Sequence, residues 1–221
     1  MRLEAVGFDL DGTLYPNYRF HLRLLPFLMR RTPLLLSMGH ARAELRRPGR
    51  PAAGTDFYRQ QAELAAGRLG LEPERLQTLF DEEIYRAWPP IFSHVRPRRG
   101  VREAILRLRA AGLKTGLLSD FPLADKRERL GLEGLWDAKI CSEEVGRLKP
   151  GAEPFLALAR ALGTEPAAMA YVGNSERYDV AGAADLGMRA VLVARRRPRK
   201  SRAQAVFTRF DSLADWLLSQ S

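Results

Sequence analysis

The sequence predicts a doubly wound α/β fold: a parallel sheet with helices on both faces, and a helical insert after the first strand. Three observations carry this. From residue 98 onward, short apolar runs alternate with segments of helical period, the pattern of a parallel sheet. The first such run, residues 3–9, is separated from the others by residues 15–97, where only helical patterns occur. Finally, polar residues able to do chemistry fall just past the strand ends, where open α/β sheets bind ligands.

Taken in order, residues 3–9 read as a buried strand ending in a polar turn. Helices are expected over about 56–69, with Phe57, Leu64, Ala65 and Leu69 apolar, and over about 73–88, with Leu76, Leu79, Phe80, Ile84 and Tyr85 at helical spacing. Before them, Pro26, Pro33, Pro48 and Pro51 are expected to break the chain into short pieces, and residues 46–54 read as a loop. After Pro97 come a helix (100–111), a strand (114–119), a helix (123–130) and a strand (136–141). A helix (154–162), a strand (169–173), a helix (180–186), a strand (190–193) and a terminal helix (211–218) complete the chain. The expected organisation is a core of residues 1–14 and 98–221 carrying an insert of residues 15–97.

Composition narrows the function classes. The 221 residues are 46% hydrophobic and 28% charged, ordinary for a globular protein. No run is long and apolar enough for a transmembrane helix, and the N-terminus does not read as a signal peptide, so a cytoplasmic location is expected. The single cysteine, Cys141, excludes a disulfide framework or a thiolate metal cage, and reads as buried and inert at a strand end. The net charge of +10 would suit an anionic partner, but much of it reflects a general abundance of arginine. The run Arg195 to Lys200 lacks aromatic interleaving and reads as a solvated loop, so no nucleic-acid partner is expected.

The residues past the strand ends form one candidate site. They are Asp9 and Asp11 after the first strand, Ser119 and Asp120 after the second, Lys149 at some distance after the third, and Asn174 to Asp179 after the fourth. Two carboxylates so close in one turn repel unless a cation lies between them, and a hard divalent ion with oxygen ligands, Mg²⁺ in particular, resolves the repulsion. One carboxylate can then attack phosphorus while the other handles a proton. Gly12 allows close backbone approach, Ser119 can donate to a phosphoryl oxygen, and Lys149 can neutralise phosphoryl charge. Asn174 and Asp179 can complete a metal shell, with Glu176 as an alternative through water. His21, His40 and His94 lack ligand spacing.

These residues resemble the motifs of the haloacid dehalogenase superfamily. Asp9-Leu10-Asp11-Gly12-Thr13-Leu14 is similar to its first motif, Ser119 after an apolar strand to its second, Lys149-Pro150 to its third, and Val172 to Asp179 to its fourth. The insert resembles the helical cap of the subgroup with phosphoglycolate phosphatases and β-phosphoglucomutases. The resemblance implies an α/β core and Mg²⁺-dependent hydrolysis of a small phosphorylated metabolite. Asp9 would form an aspartyl-phosphate and Asp11 would be general acid and base, with its backbone carbonyl on the metal. Ser119, Asp120 and Lys149 would hold the phosphoryl group, and Asp9, Asp11, Asn174 and Asp179 the Mg²⁺. The family often has Asp where this chain has Asn174, which implies weaker metal binding.

Alternatives differ in sequence. Dehalogenases of this kind lack the second aspartate of the first motif, which is present here as Asp11. Phosphonate hydrolases need a cap lysine, and residues 15–97 contain none. A phosphomutase shares the same core residues, and a low-activity binding protein is the non-enzymatic alternative. The arginine- and leucine-rich segment 19–50 reads as helices with arginines in water. The other readings are a surface for anionic substrates or a contact with an anionic membrane.

Overall fold

The computed structural model describes residues 2–47, 49, 56–87, 95–123 and 130–221, with the backbone alone over 18–28. Its centre is a parallel sheet of six strands: β1 (Ala5–Asp9), β2 (Lys114–Ser119), β3 (Ala138–Cys141), β4 (Met169–Gly173), β5 (Arg189–Val193) and β6 (Ala205–Phe207). The strand order is β3-β2-β1-β4-β5-β6, with every pairing parallel. The chain builds outward from β1 on one side and then restarts beside β1 with β4. The crevice at the carboxyl ends of β1 and β4 is therefore the topological switch point, where such sheets bind ligands.

All five residues of β1 are buried, as expected of a strand covered on both faces. Alternate residues feed two separate cores. Val6 and Phe8 pack with Leu117, Val172 and Val191 under the helices α4 (Val101–Ala110) and α8 (Phe210–Leu218). Ala5 faces the other way, with Leu118, Tyr171 and Leu192, onto α6 (Ala152–Leu162) and the short α7 (Ala181–Asp185). A one-turn helix, α5 (Ser142–Val145), follows β3 directly.

The insert is helical: α1 (Asn17–Leu45), α2 (Phe57–Leu69) and α3 (Pro73–Phe80), the last running into a π-helical turn, Asp81–Tyr85. It has a core of its own, including Leu34, Met38, Ala41, Ala62, Ala65, Leu76, Phe80 and Ile84. Here the expectation of short, proline-broken pieces is met in part, and Pro48 and Pro51 lie outside the described residues. The helix runs through Pro26, and before Pro33 it only kinks, at Arg31 (φ −121°, ψ 20°). Proline removes one intrahelical bond and crowds the preceding turn. Burial of Leu34, Met38 and Ala41 against α2 outweighs that local cost. The loop expected over 46–54 and the helix expected over 123–130 fall largely outside the described residues. The sixth strand was not expected, because Ala205–Phe207 is too short and too exposed to show a period. Among the described residues, no helix is long and apolar enough to cross a membrane.

Gly7 and Gly116 are register partners in β1 and β2. Together they make a flat seat for Leu158 of α6. A Cβ on Gly7 would stand 2.7 Å from Leu158 Cδ2 and 2.8 Å from Tyr171 Cδ2, and one on Gly116 2.7 Å from Leu158 Cδ1. Gly7→Ala is expected to destabilise the protein by about 1–3 kcal/mol, the usual cost of overpacking. Urea denaturation measures this, and the penalty is expected to be smaller in a Leu158→Ala background.

Candidate active site

Asp9 ends β1, and the chain turns away at Gly12 in the left-handed region (φ 89°). A side chain there would be strained, and its Cβ would collide with the side-chain amides of Asn174 and Asn17. Leu10 and Leu14 bury themselves on either side of the turn. From outside it, Arg98 donates to the carbonyls of Gly12 (2.9 Å) and Thr13 (3.0 Å). The turn is thus pinned by apolar anchors below and a guanidinium above.

The residues expected past the strand ends converge. Lys149 Nζ lies 2.7 Å from Asp9 Oδ1 and 2.7 Å from Asp179 Oδ1, with Tyr171 Oη at 3.3 Å. Asp9, Lys149 and Asp179 are all at most 4% exposed. The other Asp9 oxygen, Oδ2, accepts from Thr13 Oγ1 at 2.7 Å, and the same hydroxyl is 3.3 Å from Asn174 Oδ1. Asp11 accepts from Tyr15 Oη through Oδ1 and from Ser119 Oγ (3.0 Å) through Oδ2. The Ser119 oxygen also accepts the backbone N–H of Phe121 (3.0 Å), so it caps the following turn while facing Asp11.

Two carboxylates flank one ammonium in a site closed to water. Burial would strip Lys149 of its proton, but Asp179 and Asp9 overcome this and raise its pKa well above the ordinary lysine range. Burial lifts the Asp9 carboxyl to about 7, against the opposing pull of Lys149.

Three of the expected site carboxylates are engaged by protein donors. The Asp120 carboxylate bridges two of them. Its Oδ1 accepts the Lys149 N–H (3.1 Å) and its Oδ2 accepts from Arg46 (2.7 Å), so the side chain holds neighbours rather than a phosphoryl group. Both oxygens of Asp179 are taken by protein donors, Oδ2 by the N–H groups of Asn174 (3.1 Å) and Ser175 (3.0 Å). Glu176 accepts from Ser201 Oγ (2.8 Å) and the Arg202 N–H (2.7 Å), tying down the chain after β5 instead. Cys141 is buried at the end of β3, and burial pushes its thiol up to about 12.

Sequence reasoning missed Tyr15, Arg98, Tyr171 and the arginines at the end of α1. Arg42 is buried and pairs with Glu143 of α5, donating also to Gln61 Oε1 (3.3 Å) and the Asp120 carbonyl (2.8 Å). Tyr85 of the insert donates to the same Glu143 oxygen (3.1 Å). Arg42 and Arg46 are thus neither in water nor free for an anionic substrate. The only available signal was their i, i+4 spacing, which places both on one helix face. Beside this network, Tyr58, Gln61, Gln77, Phe80, Asp81, Tyr85 and Pro122 line a cavity of about 280 Å³.

Asp120 supplies a pH test. Burial raises its pKa, but Lys149, Arg46 and Arg42 outweigh burial and hold it below the usual carboxylate value of 3.8. A carboxyl depressed in the folded state contributes stability above its unfolded pKa and loses it as pH falls through the folded one. The stability advantage of wild type over Asp120→Asn is therefore expected to be constant near neutral pH and to shrink below about pH 4. Urea melts at a series of pH values read this difference.

Known proteins resemble this chain in sequence and fold. A family model described as haloacid dehalogenase-like hydrolase matches residues 3–187. The glyceraldehyde 3-phosphate phosphatase of Methanothermobacter thermautotrophicus is 26% identical over 207 residues, covering 86% of this chain and 85% of its own. The phosphoglycolate phosphatase of Cereibacter sphaeroides is 39% identical over 111 residues, 49% of each chain. Among solved structures, a HAD phosphatase from Thermococcus onnurineus superposes with a TM-score of 0.65 at 25% identity, covering 97% of this chain and 98% of its own. With the switch-point crevice and the convergence of Asp9, Ser119, Lys149 and Asp179, the match over residues 3–187 makes the chain a member of the haloacid dehalogenase-like hydrolase family.

Proposed function

We propose that the protein is a Mg²⁺-dependent phosphatase that hydrolyses a small phosphomonoester through an aspartyl-phosphate on Asp9. The observation that carries this reading is the buried cluster of Asp9, Lys149 and Asp179, with Asp11 and Ser119 facing each other beside it. The names of the relatives agree on phosphoester hydrolysis but differ in substrate, so the leaving group is not inherited from them.

The oxygen set fits a hard cation. Asp9 Oδ2 and Asn174 Oδ1 gather around one Thr13 hydroxyl, and among the described residues no group of three His, Cys, Asp or Glu side chains forms a cage alone. Such a set, with water filling the remaining positions, suits Mg²⁺ rather than a thiolate-seeking metal. Asp9, the Asp11 carbonyl and Asn174 would hold the ion, and Asp179 would support the site by orienting Lys149 and the 174–175 backbone. When bound, the ion supplies positive charge against the nucleophile and the phosphoryl oxygens. That charge would favour the ionised form of a carboxyl that burial lifts to about 7.

The steps follow from the side chains. The Asp9 carboxylate attacks phosphorus, and the bond to the leaving oxygen breaks as Asp11 gives that oxygen a proton. A water that returns its proton to Asp11 then attacks the aspartyl-phosphate, freeing phosphate and restoring Asp9. Lys149 and Ser119 hold the equatorial oxygens. Ser119 has one hydroxyl proton, so turning it to a phosphoryl oxygen releases Asp11 Oδ2 to carry the transferred proton, while Tyr15 keeps hold of Oδ1. We read the helical insert as a cap that covers the crevice and excludes bulk water.

With p-nitrophenyl phosphate and Mg²⁺, Asp9→Asn is expected to lower kcat by at least about 10³-fold, since no covalent step remains. Turnover equal to wild type sinks the assignment. Titrating activity against Mg²⁺ tests Asn174. Asn174→Asp restores a negative charge beside the ion and is expected to lower the Mg²⁺ concentration at half-activity; an unchanged midpoint removes Asn174 from the metal shell.

A further inference from the structure

The end of α1 reaches out of the insert and grips the peptide of Lys149. Arg46 donates through Nε to the Lys149 carbonyl at 2.9 Å and through Nη2 to Asp120 Oδ2 at 2.7 Å. Asp120 Oδ1 in turn accepts the Lys149 N–H at 3.1 Å. Both backbone polar groups of Lys149 are thus held, one by Arg46 directly and one through the carboxylate that Arg46 orients. The guanidinium also lies over the Tyr178 ring, 4.6 Å from its centre, so one side chain touches the segments after β2, β3 and β4. Its contact with the Arg42 carbonyl, 3.3 Å, is all that a helix-capping role requires. The ion pair is largely shielded, with side chains 15% and 13% exposed.

We propose that Arg46 is a positioning residue: seating α1 against the core fixes the Lys149 backbone and so aims Nζ at the phosphoryl site. The inference rests on the reading of Lys149 as a phosphoryl-binding residue. A lysine side chain has four rotatable bonds, and its direction is defined only if the backbone it starts from is fixed. Here a group that fixes the backbone belongs to the insert, so the insert adds a second hold on Lys149 to the one that Asp9 and Asp179 have on Nζ. The fork of a guanidinium suits the task, because Nε and Nη2 serve a carbonyl and a carboxylate at once. A lysine at position 46 reaches one or the other.

The test measures inorganic phosphate affinity by calorimetry with Mg²⁺ present, alongside p-nitrophenyl phosphate kinetics. The proteins are wild type, Arg46→Ala, Arg46→Lys, Lys149→Ala and the double variant Arg46→Ala/Lys149→Ala. Arg46→Ala is expected to weaken phosphate binding and kcat by about 10- to 100-fold, the scale of a misplaced binding group, with Arg46→Lys between it and wild type. The double variant is expected to be no worse than Lys149→Ala alone, because both changes remove the same interaction. Guanidinium ion at non-denaturing concentration is expected to restore part of the loss in Arg46→Ala and none in Lys149→Ala. Full multiplication of the two losses overturns the proposal, as does a rise in KM alone with phosphate affinity and kcat intact. Should Arg46→Ala not fold, Asp120→Asn takes its place, with the same non-additivity with Lys149→Ala expected and additivity again fatal. A Lys149→Ala protein that binds phosphate like wild type brings down the phosphatase reading itself, and the proposal with it.

Discussion

The structure of the site depends on one buried ammonium. Lys149 is almost wholly enclosed, and a charge there without a partner would cost far more than a fold of this size can absorb. Asp9 and Asp179 meet that demand at 2.7 Å each, and they need the lysine as much as it needs them. This mutual requirement locks together three chain segments that are distant in sequence. It also shapes the backbone, since the second oxygen of Asp179 gathers the N–H groups of Asn174 and Ser175. Gly173 precedes them because a Cβ at that position would overlap the Asp179 side chain.

A second buried pair governs how the insert sits on the sheet. Arg42 and Glu143 come from the two parts of the chain, and each is buried where they meet. Such a pair adds little net stability, because desolvation offsets most of the attraction, but misplacing it leaves a charge buried alone. With Gln61, Tyr85 and the Asp120 carbonyl as further partners, it admits one seating of α1. Apolar contact, such as Phe121 against the insert's own core, is less particular about angle. The polar pair supplies the orientation, and Arg46, one turn further along α1, inherits it.

The sheet and most helices were legible because period and burial speak locally: β1, β2 and β4 read as apolar runs, and α2, α4 and α6 as amphipathic ones. The length of α1 was not legible, because Pro26 argues for a break where the backbone stays helical, whereas the interruption expected near Pro33 is present as the kink at Arg31. Within the site, Asp9, Ser119 and Lys149 were legible by position after strands. What Asp120, Glu176 and Asp179 do was not, because a carboxylate's role depends on which donors reach it. Asp120 is held by an arginine 74 residues away in sequence, and Glu176 by a hydroxyl 25 residues away. Arg42 and Arg46 looked like two more arginines in a basic stretch, and only the fold shows them meeting Glu143 and Asp120.

That pairing changes what the net charge of +10 means for phosphate. Arg42 and Arg46 are neutralised by Glu143 and Asp120, so they add nothing to the net charge of the site. In formal charges, the centre consists of Asp9, Asp11 and Asp179 against Lys149, which leaves it negative before any phosphate dianion approaches. Under the proposed function, charge of the required sign would come from a divalent cation held where Asp9 Oδ2 and Asn174 Oδ1 gather, which would favour the ionised form of Asp9 and offset part of the phosphoryl charge. With an amide at position 174 rather than a second carboxylate, the site would hold that cation with one negative charge fewer. The offset of phosphoryl charge would then rest more heavily on Lys149 being correctly aimed.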